Sequence, residues 1–211
     1  MGLIKNSGKP LSQAVPLDSR DIDMLLAGLD SSDATLRRMA ASDLIAFPHA
    51  EEALGELLQR ETDPQVLESL MNTLAAYSTS SAVEKILPAL RADDAFKRNL
   101  AIEVLKTLPD LVAPHIEALL EDADPDVRIF TVNVLESLRH PKVLPWLLSV
   151  LKNDQHVNVC ATALDLLAEV GSEECLPVLD TLMKRYQHEP YLMYAAQIVM
   201  DRIVQTREVA Q

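Results

Sequence analysis

Five histidines, two cysteines and 32 Asp or Glu residues are the side chains of this 211-residue chain with the chemistry to hold a metal ion or move a proton. The histidines are His49, His115, His140, His156 and His188, and most fall near helix ends or turns. A metal-binding helix sets its ligands one turn apart inside the helix, so this placement predicts no metal site. The carboxylates concentrate in turns: Asp30 and Asp33, Asp93 and Asp94, Asp122, Asp124 and Asp126, Glu173 and Glu174. In an open turn a carboxylate stays solvated and lacks the burial that tunes a catalytic pKa, so these read as helix caps and solubilising charge. No glycine-rich phosphate loop and no Gly-x-Ser-x-Gly turn is present. Cys160 and Cys175 lie in apolar helical stretches, where a thiol packs as a small hydrophobe. The expectation is a non-enzyme with no catalytic residue, no cofactor and no metal.

The turns that hold these acids recur. An acidic residue, often followed by Pro, precedes a helix that opens on Leu36, Val66, Lys97, Val127, Val159 and Leu192, at intervals of 30, 31, 30, 32 and 33 residues. A period in this range, made only of helices, is the signature of a solenoid whose units each pack on their neighbours. First helices are predicted over about 21–29, 51–60, 81–91, 113–121, 142–152 and 174–187. Second helices are predicted over about 34–46, 65–77, 96–108, 127–138, 157–170 and 190–206. Pro114, Pro145 and Pro177 are expected at or near helix starts, where the missing N–H costs least, whereas Pro88 should kink the third first-helix. The predicted fold is all-α, a right-handed α-solenoid (superhelix) of about six helix-turn-helix repeats. Residues 1–17 are expected to form a flexible tail, 18–207 one solenoid domain and 208–211 a second tail.

Charge narrows the partners. With 19 Lys or Arg against 32 acids the net charge is −13, and no basic cluster exists to neutralise phosphates. Nucleic acid and anionic membrane are therefore excluded as expected partners, and a basic protein surface is favoured. Two cysteines are too few for a disulfide framework, which implies a reducing compartment. No apolar run spans a bilayer and the N-terminus has no apolar signal core, so the expected location is cytoplasmic and the expected state a monomer or weak homodimer.

Asp124-Pro125-Asp126-Val127-Arg128, with Thr131 and Leu135 following, resembles the HEAT repeats of the type found in phycobilin lyases. Leu36-Arg37 with Ala40 and Leu44, and Lys97-Arg98 with Ala101 and Leu105, carry the same pattern. Leu67, Cys160 and Met193 stand where the motif has Arg. The resemblance covers nearly all of the chain from Asp18 to Arg207, and implies HEAT-like architecture while saying little about function. Deoxyhypusine hydroxylases of this type hold iron with several His-Glu pairs; this chain has His188-Glu189 alone, which cannot build that site. HEAT-like DNA glycosylases need a basic groove, which is absent. The residues expected to tie units together are Asp33, Arg37, Asp94, Arg98, Asp124 and Arg128: each Asp caps a second helix, and each Arg reaches a neighbouring turn and pairs with its Asp.

Function in such an array is expected on the concave face, lined by the second helices. Counting 100° per residue from each opening residue puts Leu36, Ala40, Val127, Thr131, Leu135, Val159 and Ala163 inward. The opposite face carries Arg38, Glu68, Asn99, Ile129 and Tyr194 two residues on, and Ser42, Asn72, Glu103, Asn133 and Asp165 six residues on, with Gln197 in the last unit. The predicted partner-binding set is Arg38, Glu68, Asn72, Asn99, Glu103, Ile129, Asn133, Asp165 and Tyr194, a polar ladder with few apolar anchors. The resulting expectation is a non-enzymatic adaptor or scaffold for a protein partner, including one that regulates a signalling enzyme. The alternative is an accessory, chaperone-like subunit for cofactor attachment, as the phycobilin-lyase resemblance implies. Trp146, the one tryptophan, is expected to be a core residue.

Overall fold

The computed structural model describes residues 19–209, so the readings for residues 1–17 and for 210–211 lie outside the described residues. Within them the regular structure is helical and no strand occurs. Six helix pairs follow in order: α1 (Ser19–Gly28) with α2 (Ala34–Asp43), α3 (Glu51–Arg60) with α4 (Pro64–Tyr77), α5 (Ser80–Ile86) with α6 (Ala95–Lys106), α7 (Pro109–Leu120) with α8 (Pro125–Leu135), α9 (Val143–Asn153) with α10 (Val157–Val170), and α11 (Leu176–Arg185) with α12 (Pro190–Val209). This is an all-α solenoid.

The acidic turns start the second helices. Asp33, Asp63, Asp94 and Asp124 hold extended backbone, and each carboxylate accepts from the N–H two residues on, at 2.8, 3.0, 2.8 and 2.9 Å. One of the unpaired amides of each helix start is thereby satisfied, and the negative charge sits at the positive end of the helix dipole. Pro64 and Pro125 follow two of these caps in the first turn, where no donor is lost. At α10, in the longer fifth turn, His156 stands at the cap position without a side-chain cap bond. There Asp154 accepts from the His156 N–H at 2.8 Å instead.

Proline acts as expected at one position and differently at another. α5 ends at Ile86 and the chain continues as a 3-10 turn over Leu87–Arg91 around Pro88. α7, however, begins at Pro109, four residues before the expected start, because Pro109 itself occupies the favourable first-turn position. Pro114 therefore falls inside the helix rather than at its start, and cannot donate to the Asp110 carbonyl.

Of the six opening residues, Val66, Lys97, Val127, Val159 and Leu192 are buried. Leu36 is the exception at 51% exposed, since no earlier pair packs on α2 among the described residues. A buried core of Leu, Val, Ile and Ala runs unbroken from Ile22 to Ile203. The second helices pack each on the next from α2 through to α12, whereas α7 and α9 of the first-helix layer hardly touch. The second helices therefore form one continuous layer, and their exposed sides make one continuous face.

Candidate protein-binding face

Glu68, Asn72, Asn99, Glu103, Asp165 and Tyr194 are exposed on the second helices, and Arg38, Ile129 and Asn133 are half-buried. Ile129 packs partly against the core, so it contributes only an edge to the face. Gln197 does not occupy the sixth position of the last unit: that residue is Ile198, 46% exposed, and Gln197 beside it donates to Asp201 at 2.8 Å. With Tyr191 and Tyr194, Ile198 makes an apolar stripe on α12 rather than a further polar rung.

Two carboxylates missed by the count from the opening residues complete the face. Glu136 and Glu169 lie one turn beyond the polar rungs of α8 and α10, and with Asn133, Thr162 and Asp165 they line a shallow hollow of about 180 Å³. Lys106 reaches across from α6, donating to Glu103 at 3.1 Å and to Glu136 at 2.9 Å, which links adjacent second helices. Burial opposes the Lys106 charge, but the bonds to Glu136 and Glu103 outweigh it and hold its pKa above the ordinary value. Along this side run Glu68, Glu103, Glu136, Asp165, Glu169 and Asp201, against the cations Arg38 and Lys106. The field there is negative.

The motif arginines lie on a different edge, between turns. Arg37 meets Glu61 with two bonds, Nε to Oε2 at 2.7 Å and Nη2 to Oε1 at 3.1 Å, while its Nη1 donates to the Ser31 carbonyl. Arg128 meets Asp154 in the same fork, at 2.7 and 3.1 Å, and caps the Asp122 carbonyl. The partners are thus the acids that end α3 and α9. Asp33, Asp94 and Asp124 are engaged as helix caps instead, as their position two residues before a free amide dictates. Among the described residues Arg98 pairs with no carboxylate. Its Nη1 donates to the Ala92 and Asp93 carbonyls, its guanidinium lies 5.4 Å over the Phe130 ring, and its buried Nε has no partner. Asp122, which could have served it, is taken by Arg91. Arg185 and Arg202, absent from the motif, do similar work by capping the carbonyl ends of α9 and α10.

Burial works against the Glu61 charge, yet the Arg37 fork and the N–H groups of Asp63 and Thr62 outweigh it and hold the carboxyl at about 2. Asp154 is lowered for the same reasons, burial being opposed by Arg128 and the His156 N–H. Both pairs keep their charges and serve as ties between units. Among the described residues no three His, Cys, Asp or Glu side chains converge as a metal ion would require, and His188 and Glu189 are both exposed. No helix there is long and apolar enough to cross a membrane. Trp146 is buried at 5% exposure, on the far side from this face.

Residues 112–200, from α7 into α12, match the family model for HEAT repeats. No curated protein matches the sequence. Among solved structures the chain is similar to the archaeal HEAT-like repeats protein from Thermococcus onnurineus NA1, at 19% identity and a TM-score of 0.46 over 89% of this chain and 88% of that one. It is also similar to human deoxyhypusine hydroxylase, at 15% identity and 0.45 over 88% and 85%. A third similarity is to the complex of CpcE and CpcF of phycocyanin lyase from Nostoc sp. PCC7120, at 20% identity and 0.38 over 71% and 99%. The HEAT match thus spans three consecutive helix pairs, α7 to α12, and the same helix-pair architecture continues on its N-terminal side.

Proposed function

We propose that this protein is a non-enzymatic cytoplasmic scaffold whose second-helix face holds a protein partner through a basic surface or segment. The observation that carries this is the row of carboxylates from Glu68 through Glu103, Glu136, Asp165 and Glu169 to Asp201, opposed among the described residues by Arg38 and Lys106. Such a row steers a cationic partner and fixes its register, while Asn72, Asn99 and Asn133 supply hydrogen bonds and Ile129 and Tyr194 supply apolar edges. A role in cofactor attachment has weaker support, because Cys160 and Cys175, the thiols able to form a covalent link, are both wholly buried.

The test is affinity capture from the native cell with the wild-type chain and with the variant E103K/D165K/E169K, each at low and at physiological salt. The expected result is a protein retained by the wild type, weakened by salt and lost from the folded variant. Equal retention by both chains overturns the assignment of this face.

A further inference from the structure

The separation of α7 from α9 opens a cleft of about 870 Å³ on the first-helix side, opposite the acidic row. Its apolar wall is Leu120, Pro145, Trp146 and Val150, and its polar lining includes Glu117, Glu121, Asp122 and Asp154. The two cations that border it are already committed, Arg128 to Asp154 and Lys142 to Glu117. Asp122 is paired with Arg91, which leaves Glu121 exposed at the rim without an ion pair among the described residues.

Lys142 indicates what the cleft accepts. Its ammonium lies 5.9 Å from the centre of the Trp146 ring and 3.1 Å from Glu117 Oε1. The same carboxylate oxygen accepts from the Trp146 indole N–H at 3.2 Å, and the His140 ring stacks on the indole at 5.1 Å. An aromatic face with a carboxylate at its edge is a seat for a cation carried on an aliphatic stem. Here the chain fills that seat with its own lysine, whose side chain is 60% exposed.

We propose that the α7–α9 cleft is a second docking site, which takes an Arg or Lys side chain of a basic protein segment in exchange for Lys142. The incoming cation lies on Trp146 between Glu117 and Glu121, and its stem covers Leu120 and Val150. Lys142 acts as an internal competitor that lowers affinity and must be displaced. The charge complementarity is local to this cleft and does not depend on the acidic row of the second helices.

Trp146 is the chain's only tryptophan, so its fluorescence reads this site and no other. The probe is a blocked nonapeptide of alternating Arg and Ala, with alternating Gln and Ala as the uncharged control. The Arg peptide is expected to change the emission saturably and the Gln peptide to leave it unchanged. Lys142→Ala should tighten Arg-peptide binding about fivefold, the scale of one cation–π contact and one exposed ion pair. Lys152→Ala, the same charge change on the outer part of α9, should leave the affinity as it was. Glu121→Gln should weaken binding at least threefold without altering the melting temperature. The proposal is overturned if the peptide leaves Trp146 emission unchanged, or if Lys142→Ala and Lys152→Ala shift the affinity equally, the mark of a general charge effect. Neither result bears on the second-helix face, whose test is the charge-reversed capture.

Discussion

Glu61→Gln isolates the tie between the first two repeats. Glu61 is 6% exposed and accepts four bonds: from Arg37 Nε and Nη2, and from the N–H groups of Thr62 and Asp63. Together these bring its pKa from 4.5 to about 2 despite burial. The folded chain therefore releases this proton more readily than the unfolded one. Its contribution is fully present above pH 4.5 and is lost as pH falls through about 2. At 1.36 kcal/mol per tenfold change in proton affinity, that shift corresponds to about 3 kcal/mol. Gln keeps the shape and one acceptor oxygen but leaves the partly buried Arg37 uncompensated, so the cost at pH 7 is of the same size, about 3 kcal/mol. Urea denaturation of wild type and variant at pH 7, 4 and 2.5 measures the gap directly, and subtracting one chain from the other removes the effect of the remaining acids. The gap should be widest at pH 7 and shrink steadily toward pH 2 as Glu61 takes up its proton. A gap that is constant across this range, or below about 1 kcal/mol at pH 7, refutes the reasoning.

Three further outcomes follow from the same packing. Arg128→Met strips Asp154 of its fork and should cost about 3 kcal/mol, whereas Arg98→Met removes no carboxylate pair and leaves no buried Nε unpartnered, so chemical denaturation should find it markedly milder. Val127→Asp or Leu135→Asp puts a charge into a fully buried position and should unfold at least the middle repeats, seen as lost helicity in circular dichroism. Lys97 is 6% exposed with its ammonium on the Gln59 carbonyl, and burial lowers its pKa. The unfolded chain thus binds the extra proton between the lowered value and 10.5, and stability from this site rises with pH across that window. Lys97→Met should remove that slope and raise the melting temperature at pH 7 by about 2 °C or more.

The repeat was legible because its signals are local. Apolar residues at helical spacing gave Val66, Val127, Val159 and Leu192 as core, and an acid before α2, α4, α6 and α8 gave the cap of each. Leu36 broke the pattern for a reason no local window contains, the absence among the described residues of a pair covering its side of α2. The early start of α7 did carry a signal, Pro109 followed by Asp110, which Pro114 masked as a competing helix start. The partners of Arg37 and Arg128 lie 24 and 26 residues downstream, at helix ends whose positions shift with the repeat length, so the motif names the arginine and not its acid. Glu136 and Glu169 join the candidate face only once α8 and α10 are set side by side. The α7–α9 cleft is less legible still, because it arises from two first helices that fail to pack.

Hydrogen–deuterium exchange on the complex with the captured partner tests the central claim most directly, since it locates the contact without altering a residue. Binding to the acidic face predicts slowed exchange in the exposed stretches of α6, α8 and α10 around Glu103, Glu136 and Asp165, with the turns that hold Arg37 and Arg128 unchanged. Protection confined to α7 and α9, with the second helices exchanging as in the free chain, would contradict it.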